Sequence, residues 1–284
     1  MPSAPEVPIL TGTRARHIAR LLLWAGLGLT TLQAMAAQEV RVGAAHFPPY
    51  TVRPETGADT GLLPQLVQDL NAVQTQYHFV LVPTSIPRRY RDFQDGRIDM
   101  AIFENPEWGW EKIEHVSVDM GLEDAEIFVA KRGDHRDQTF FADLTGKRLA
   151  LFSGYHYAFA DFNADPQFLT EHYGATLTYS HDSNLMMVLR DRADIALVTR
   201  SYLYDYLNRN PGVGKELLIS DRIDQLYHHY ALLRPQSPIS GQAFQQLLQQ
   251  LRDNGQIFKV FDPYKIAVRP LPEQPVVAHA VPQG

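Results

Sequence analysis

The chain has 284 residues, 45% of them hydrophobic and 20% charged, with 26 basic residues against 32 acidic ones and a formal net charge of −6. That length holds two modest lobes rather than one small core, and the composition is neither disordered nor fibrous. The acidic balance disfavours nucleic acid or an anionic membrane as a partner. The absence of cysteine excludes disulfides, a thiolate nucleophile and a cysteine-bound metal.

The N-terminal stretch carries Arg14, Arg16 and Arg20, then the uncharged run LLLWAGLGLTTLQ, then AMA ending at Ala36. This order of basic, apolar and small-residue segments predicts a secretory signal peptide, residues 1–36, cleaved after Ala36. The apolar run is shorter than the ~20 residues a membrane span needs. Cleavage removes three arginines against one glutamate and leaves the mature chain more acidic still. Without a lipid-attachment cysteine, a soluble protein free in the periplasm is expected.

Strand and helix signals then alternate, the pattern of an α/β architecture. EVRVGAA at 39–45 reads as a strand, and Leu62, Leu66, Leu70 and Val73 fall on one face of a helix over 61–76. YHFVLVP is the next strand; Pro87 opens a short helix that Gly96 closes, and 98–103 is a third strand. RDFQDGRIDMAIFE leaves a helix, turns and enters its strand through Asp99, and MVLRDRADIALVT repeats this through Asp194. Two lobes of like construction are expected from that echo. From Ala267 onward, Pro270, Pro272, Pro275 and Pro282 interrupt a sequence without periodicity, so 266–284 is expected to be an unstructured tail.

In order and spacing, VRVG followed by FPPY, then TGLLPQLVQDL, GRIDMAI, LTGKRLALFSG, RADIALV and LRDNGQIFKVFDPY resemble the type 2 periplasmic solute-binding proteins of the amino-acid uptake class, extracellular solute-binding protein family 3. The resemblance spans roughly 38–265. It implies two lobes, each an open sheet flanked by helices, joined by a hinge of two crossing segments. Lobe 1 would comprise 38–127 with 228–265, lobe 2 would comprise 128–227, and the crossings would be EIFVA and YHHYALL. It also implies capture of a small solute in the interlobe cleft and its presentation to an ABC-type permease. The same family architecture serves ligand-binding partners of membrane sensors and periplasmic dehydratases, which are the alternatives. A monomer without a cofactor is expected.

Two departures weigh against an ordinary amino-acid ligand. Family members end the third strand with small hydroxyl residues and carry a carboxylate-clamping arginine shortly after it. Here the stretch reads FENPEWGWEK, and no arginine occurs between Arg97 and Arg132. The acid that family members place after the lobe 2 strand is replaced by Thr199.

In open α/β sheets ligands sit beyond the carboxyl ends of the strands, which makes Glu104 and Thr199 opposite walls of one cleft. Glu104 would accept a cationic or amino group, with Phe47, Phe103, Trp108 and Trp110 offering aromatic faces. Arg88 would meet an anionic end. Backbone amides of Ser153, Gly154 and Tyr155, at a helix start, would hold a carboxylate. The competing readings make Glu104 a turn cap or a partner of Lys112, the tryptophans a packed flap, and Arg88 a solvated helix-start residue. The histidines do not cluster at ligand spacing, so no metal is expected, and no catalytic constellation accompanies Glu104, so an enzyme is not expected.

Overall fold

Hydrophobic strands with polar turns between them build one continuous sheet in the computed structural model, which describes Met1 and residues 36–57, 60–272 and 275–280. Almost all of the segment read as a signal peptide lies outside the described residues. Strands β1 (Gln38–Ala44), β2 (Tyr77–Pro83) and β3 (Met100–Glu104) pair in parallel around β1. Strands β5 (Leu149–Phe152), β6 (Ala175–Thr178) and β7 (Ile195–Thr199) repeat the arrangement around β5. Between the two groups run β4 (His115–Lys131) and β8 (Leu217–Leu233), 17 residues each, paired antiparallel along both halves. The order is β2-β1-β3-β8-β4-β7-β5-β6.

The repeat seen in the sequence has a physical basis. Asp99 precedes β3 and accepts from the backbone amide, Nε and Nη2 of Arg41 on the neighbouring strand, at 3.0, 2.8 and 2.7 Å. Asp194 precedes β7 and does the same to Arg148, at 2.9, 3.1 and 2.9 Å. Each aspartate therefore fixes the register of a parallel strand pair from its amino end, through charge-assisted hydrogen bonds.

Helices cover the sheet by burying one face each. Helix α1 (Leu62–Val73) buries Leu62, Leu66 and Leu70, and α2 (Arg89–Gln94) follows β2. In the other half α3 (Pro166–Tyr173), α4 (His181–Leu189) and α5 (Arg200–Arg209) follow in order, with Asp165 and Ser180 capping the first two. Helix α6 (Gly241–Asp253), capped by Ser240, buries Phe244, Leu248 and Leu251 beside α1 and is followed by α7 (Gln256–Phe261). One core gathers Val42, Leu66, Met100 and Phe244; others gather Leu151, Leu197 and Phe128 on one face of β5 and β7, and Val129, Val188 and Val198 on the opposite face. The architecture is α/β with the two-lobed type 2 periplasmic-binding-protein fold, as expected.

The tail departs from expectation. Ala267–Val268 forms β9 and Val276–His279 forms β10, both antiparallel to β4. They line the edge of β4 that β7 leaves open: β10 opposite 115–118, β9 opposite 122–123, β7 opposite 126–130. Proline forbids neither strand, because Pro270, Pro272 and Pro275 fall between β9 and β10 and take no place in either ladder. Unpaired donors and acceptors along β4 supply the template that local periodicity does not reveal.

Candidate functional site

Where the two halves meet, a cavity of about 60 Å³ is lined by side chains that the sheet brings together from both. From the first half come Phe47, Arg89, Phe103, Glu104 and Trp108; from the second come Gly154, Tyr155 and His156; from the crossing strands come Glu126 and Gln225, which face each other in register. A larger groove of about 800 Å³ shares Thr84, Ile86, Arg89, Gly154 and His156 with the cavity and reaches outward past Tyr90 and Tyr179.

The third strand delivers Phe103 and Glu104 through a bulge. Ile102 pairs with Ala231 and Glu104 with Tyr230, so Phe103 is an extra residue, held at φ 65°. A phenylalanine in the left-handed region is uncommon and strained by about 1–3 kcal/mol. The bulge turns two successive residues toward the cavity instead of one.

Aromatic rings form its walls. Phe47 stacks on Tyr50 with centroids 4.8 Å apart and meets Tyr155 edge-on at 5.4 Å and Trp108 edge-on at 6.3 Å. The Phe47–Tyr155 contact, with Ile86 lying over Gly154, joins the halves directly.

The charged residues are arranged differently from expectation. Glu104 is 8% exposed, lines the cavity and is already paired within the chain: Oε1 accepts from Arg89 Nε at 2.7 Å, and Oε2 accepts from Arg89 Nη2 at 3.2 Å and from Trp110 Nε1 at 2.9 Å. Trp110 is fully buried behind it, and Lys112 is not its partner. Arg88 points outward, its side chain 62% exposed beside Asp92; the next residue, Arg89, is the one that turns in. Two adjacent arginines at a helix start offer no periodicity by which to choose between them.

Thr199 is buried and lies behind the cavity rather than on its wall. Its hydroxyl donates to Glu126 Oε1 at 2.7 Å and lies 3.3 Å from His181 Nε2. Glu126 is 2% exposed, and its second oxygen, Oε2, has no hydrogen-bond partner among the described residues. Burial holds this carboxyl well above the ordinary carboxylate range; the Thr199 hydrogen bond opposes the shift, and the Asp124 and Asp224 charges add to it. Sequence reasoning missed Glu126, although a lone carboxylate inside the apolar run EIFVA was a signal, since unpaired acids rarely occupy buried strands.

Around Ser153, Gly154 and Tyr155 the chain fills its own turn amides except that of Gly154, which has no partner among the described residues. The Asp224 carboxylate accepts from the amides of Ala158 and Phe159 at 2.9 and 3.0 Å. The amides of Ser153 and Tyr155 go to the carbonyls of Thr178 and Phe152. Tyr155 and Gly154 line the inner cavity, whereas Ser153 lines only the outer groove. Burial, reinforced by the Arg89 charge, pushes His156 down to about 4, so it is neutral near pH 7.

Beneath the cavity the two long strands carry a second polar cluster. Tyr50 donates to Asp124 at 2.5 Å, and His229 Nε2 lies 2.6 Å from the Tyr50 hydroxyl. His228 faces the other way and pairs with Glu123 at 3.5 Å, as alternation along a strand requires. Among the described residues no group of histidines and acids is placed to hold a metal ion, and no helix is long and apolar enough to cross a membrane.

A two-lobed α/β fold with a cavity between its lobes places the chain structurally among periplasmic-binding-protein folds. The GluR0 ligand-binding core from Nostoc punctiforme, solved with L-glutamate, superposes with a TM-score of 0.60 at 17% identity, covering 80% of this chain and 98% of that one. An ancestral arginine-binding protein bound to arginine gives 0.61 at 17% identity, covering 81% and 99%. A histidine kinase sensor domain similar to periplasmic binding proteins gives 0.62 at 16% identity, covering 83% and 99%. No protein-family model matches the sequence, and no curated protein matches it.

Proposed function

We propose that this protein is exported to the periplasm through a cleaved signal peptide and captures a small polar or amino-bearing metabolite between its lobes, without turning it over. The closed form is what an ABC-type permease reads. The observation that carries this reading is the cavity itself, walled by Phe103, Arg89 and Trp108 from one half and by Tyr155 and Gly154 from the other. A solute touching both walls stabilises closure by its differential affinity for that form, and the crossing strands β4 and β8 serve as the hinge. Lobe 1 then comprises 38–127 with 228–265, and lobe 2 comprises 128–227.

A second reading, ligand-binding partner of a membrane sensor, is favoured by the likeness to a histidine kinase sensor domain. Both readings require hinge closure. Small-angle scattering before and after adding a solute identified by mass spectrometry from a metabolite library should show the radius of gyration contracting and the solute recovered unchanged. A bound solute with no contraction, or one recovered chemically altered, overturns the binding-protein reading. Deleting a permease gene and a sensor gene in turn separates uptake from signalling.

A further inference from the structure

The crossing strands carry a buried acid that the cavity does not use. Asp124 on β4 is fully buried, and neither it nor the groups that hold it line the cavity or the outer groove. Donors from both halves converge on its two oxygens. From the first half the Tyr50 hydroxyl donates to Oδ2 at 2.5 Å and lies 2.6 Å from His229 Nε2. From the second half comes the start of α5: the Ser201 amide donates to Oδ1 at 3.3 Å, and Arg200 Nε lies 3.6 Å from the same oxygen. Thr199, at the cap position of that helix, makes no side-chain cap, and its hydroxyl goes to Glu126. An acid of the crossing strand therefore caps a helix of the other half, at the end where negative charge is favoured.

Asp124 also stands where the sheet is least braced. On the edge of β4 away from β8, β9 stops opposite 122–123 and β7 begins opposite 126, so Asp124 and Ala125 pair with neither. Rotation of one half against the other meets the fewest ladder bonds there.

We propose that Asp124 is a positioning residue for closure, a latch that holds Tyr50 of one half and the start of α5 of the other on a single carboxyl group. A rotation at 124–125 carries Ser201 and Arg200 away from Tyr50, and one side chain cannot follow both. Tyr50 ties the latch to the cleft, because its ring stacks on Phe47, which lines the cavity and meets Tyr155 of the other half. A solute that orders Phe47 thereby tightens a bond it never touches.

This proposal rests on the binding-protein reading, and the experiment separates the two. The chain has no cysteine, so Gln68→Cys on α1 and Glu171→Cys on α3, both at exposed positions, place one spin label on each half. Electron–electron double resonance measures the distance between the labels in the ligand-free protein and after addition of the metabolite mixture used in the library screen. In at least one of these conditions the labelled parent should populate the label distance of this structure. Tyr50→Phe and Arg200→Met should each deplete that population about ten-fold relative to the open one, the scale of one hydrogen bond to a charged group. Combining them should deplete it no further than the stronger single substitution, since either break frees the carboxyl group. If Tyr50→Phe does not fold, Arg200→Met, whose side chain is 23% exposed, carries the test. Variants that melt earlier yet populate the distance as the parent does overturn the latch and leave Asp124 a structural cap, and so do losses that add. Those outcomes leave the binding-protein reading intact; a parent whose labels never reach the distance of this structure overturns both.

Discussion

Arg89 holds Glu104 by two parallel contacts, Nε to Oε1 at 2.7 Å and Nη2 to Oε2 at 3.2 Å, with both side chains buried. Removing one partner of such a pair strands the other charge in a poorly solvated site. Glu104→Gln should therefore destabilise the fold by about 3 kcal/mol or more, read as a loss in denaturant midpoint. The double variant Arg89→Met, Glu104→Met should lose less than the two single Met variants summed. Additive losses in that double-mutant cycle would show that the pair is not coupled.

Gly154 sits at φ +83°, and a Cβ built there would lie 2.9 Å from Ile86 Cγ2 across the contact between the halves. Gly154→Ala should strain the backbone by about 1–2 kcal/mol and wedge the halves apart. Scattering on the ligand-free variant should give a larger radius than wild type, and affinity for any cleft ligand should fall several-fold. A variant that scatters and binds as wild type does would place the closing contact elsewhere.

Burial lowers both His181 and His229 to about 3 from an ordinary 6.5. A histidine kept neutral in the fold but protonated when unfolded stabilises fully above pH 6.5, and that stability is lost as the pH falls toward 3. Each contributes up to about 1.4 kcal/mol per pH unit in that window. The raised carboxyls of Glu126 and Asp124 have the opposite sign, since they stabilise the protonated fold as the pH falls. The comparison is therefore between variants: His229→Asn should flatten the acid limb of denaturant stability relative to wild type. An unchanged slope between pH 6 and 4 would show that His229 titrates normally in the fold.

The strand β10 pairs Val276 with Val118 and His279 with His115, and the two histidine rings stack 4.9 Å apart. None of its residues lines the cavity. Truncation after Pro272 should uncover the 115–118 edge of β4, lower the melting temperature by several degrees and promote self-association, because exposed strand edges recruit other strands. Ligand affinity should stay within two-fold. A truncated chain with the stability and association state of the full one would show that β10 adds nothing to the fold.

The sequence by itself determined the order of strands and helices, the repeated unit entered through Asp99 and Asp194, and the aromatic character of the site at Phe47, Phe103, Trp108 and Tyr155. These features are local: periodicity, turn residues and short motifs act within about a dozen positions along the chain. Which charge meets which was decided only by tertiary structure. Whether Glu104 meets Arg89 depends on how α2 lies against β3, and whether the amides of Ala158 and Phe159 are free depends on Asp224, which arrives from β8. The unmatched oxygen of Glu126 and the tail strands on β4 are likewise products of long-range pairing. Hydrogen-bonding and ion-pairing capacity is written in residue types, but its satisfaction is a property of the folded neighbourhood, where a buried donor or acceptor without a partner costs free energy that no local pattern records.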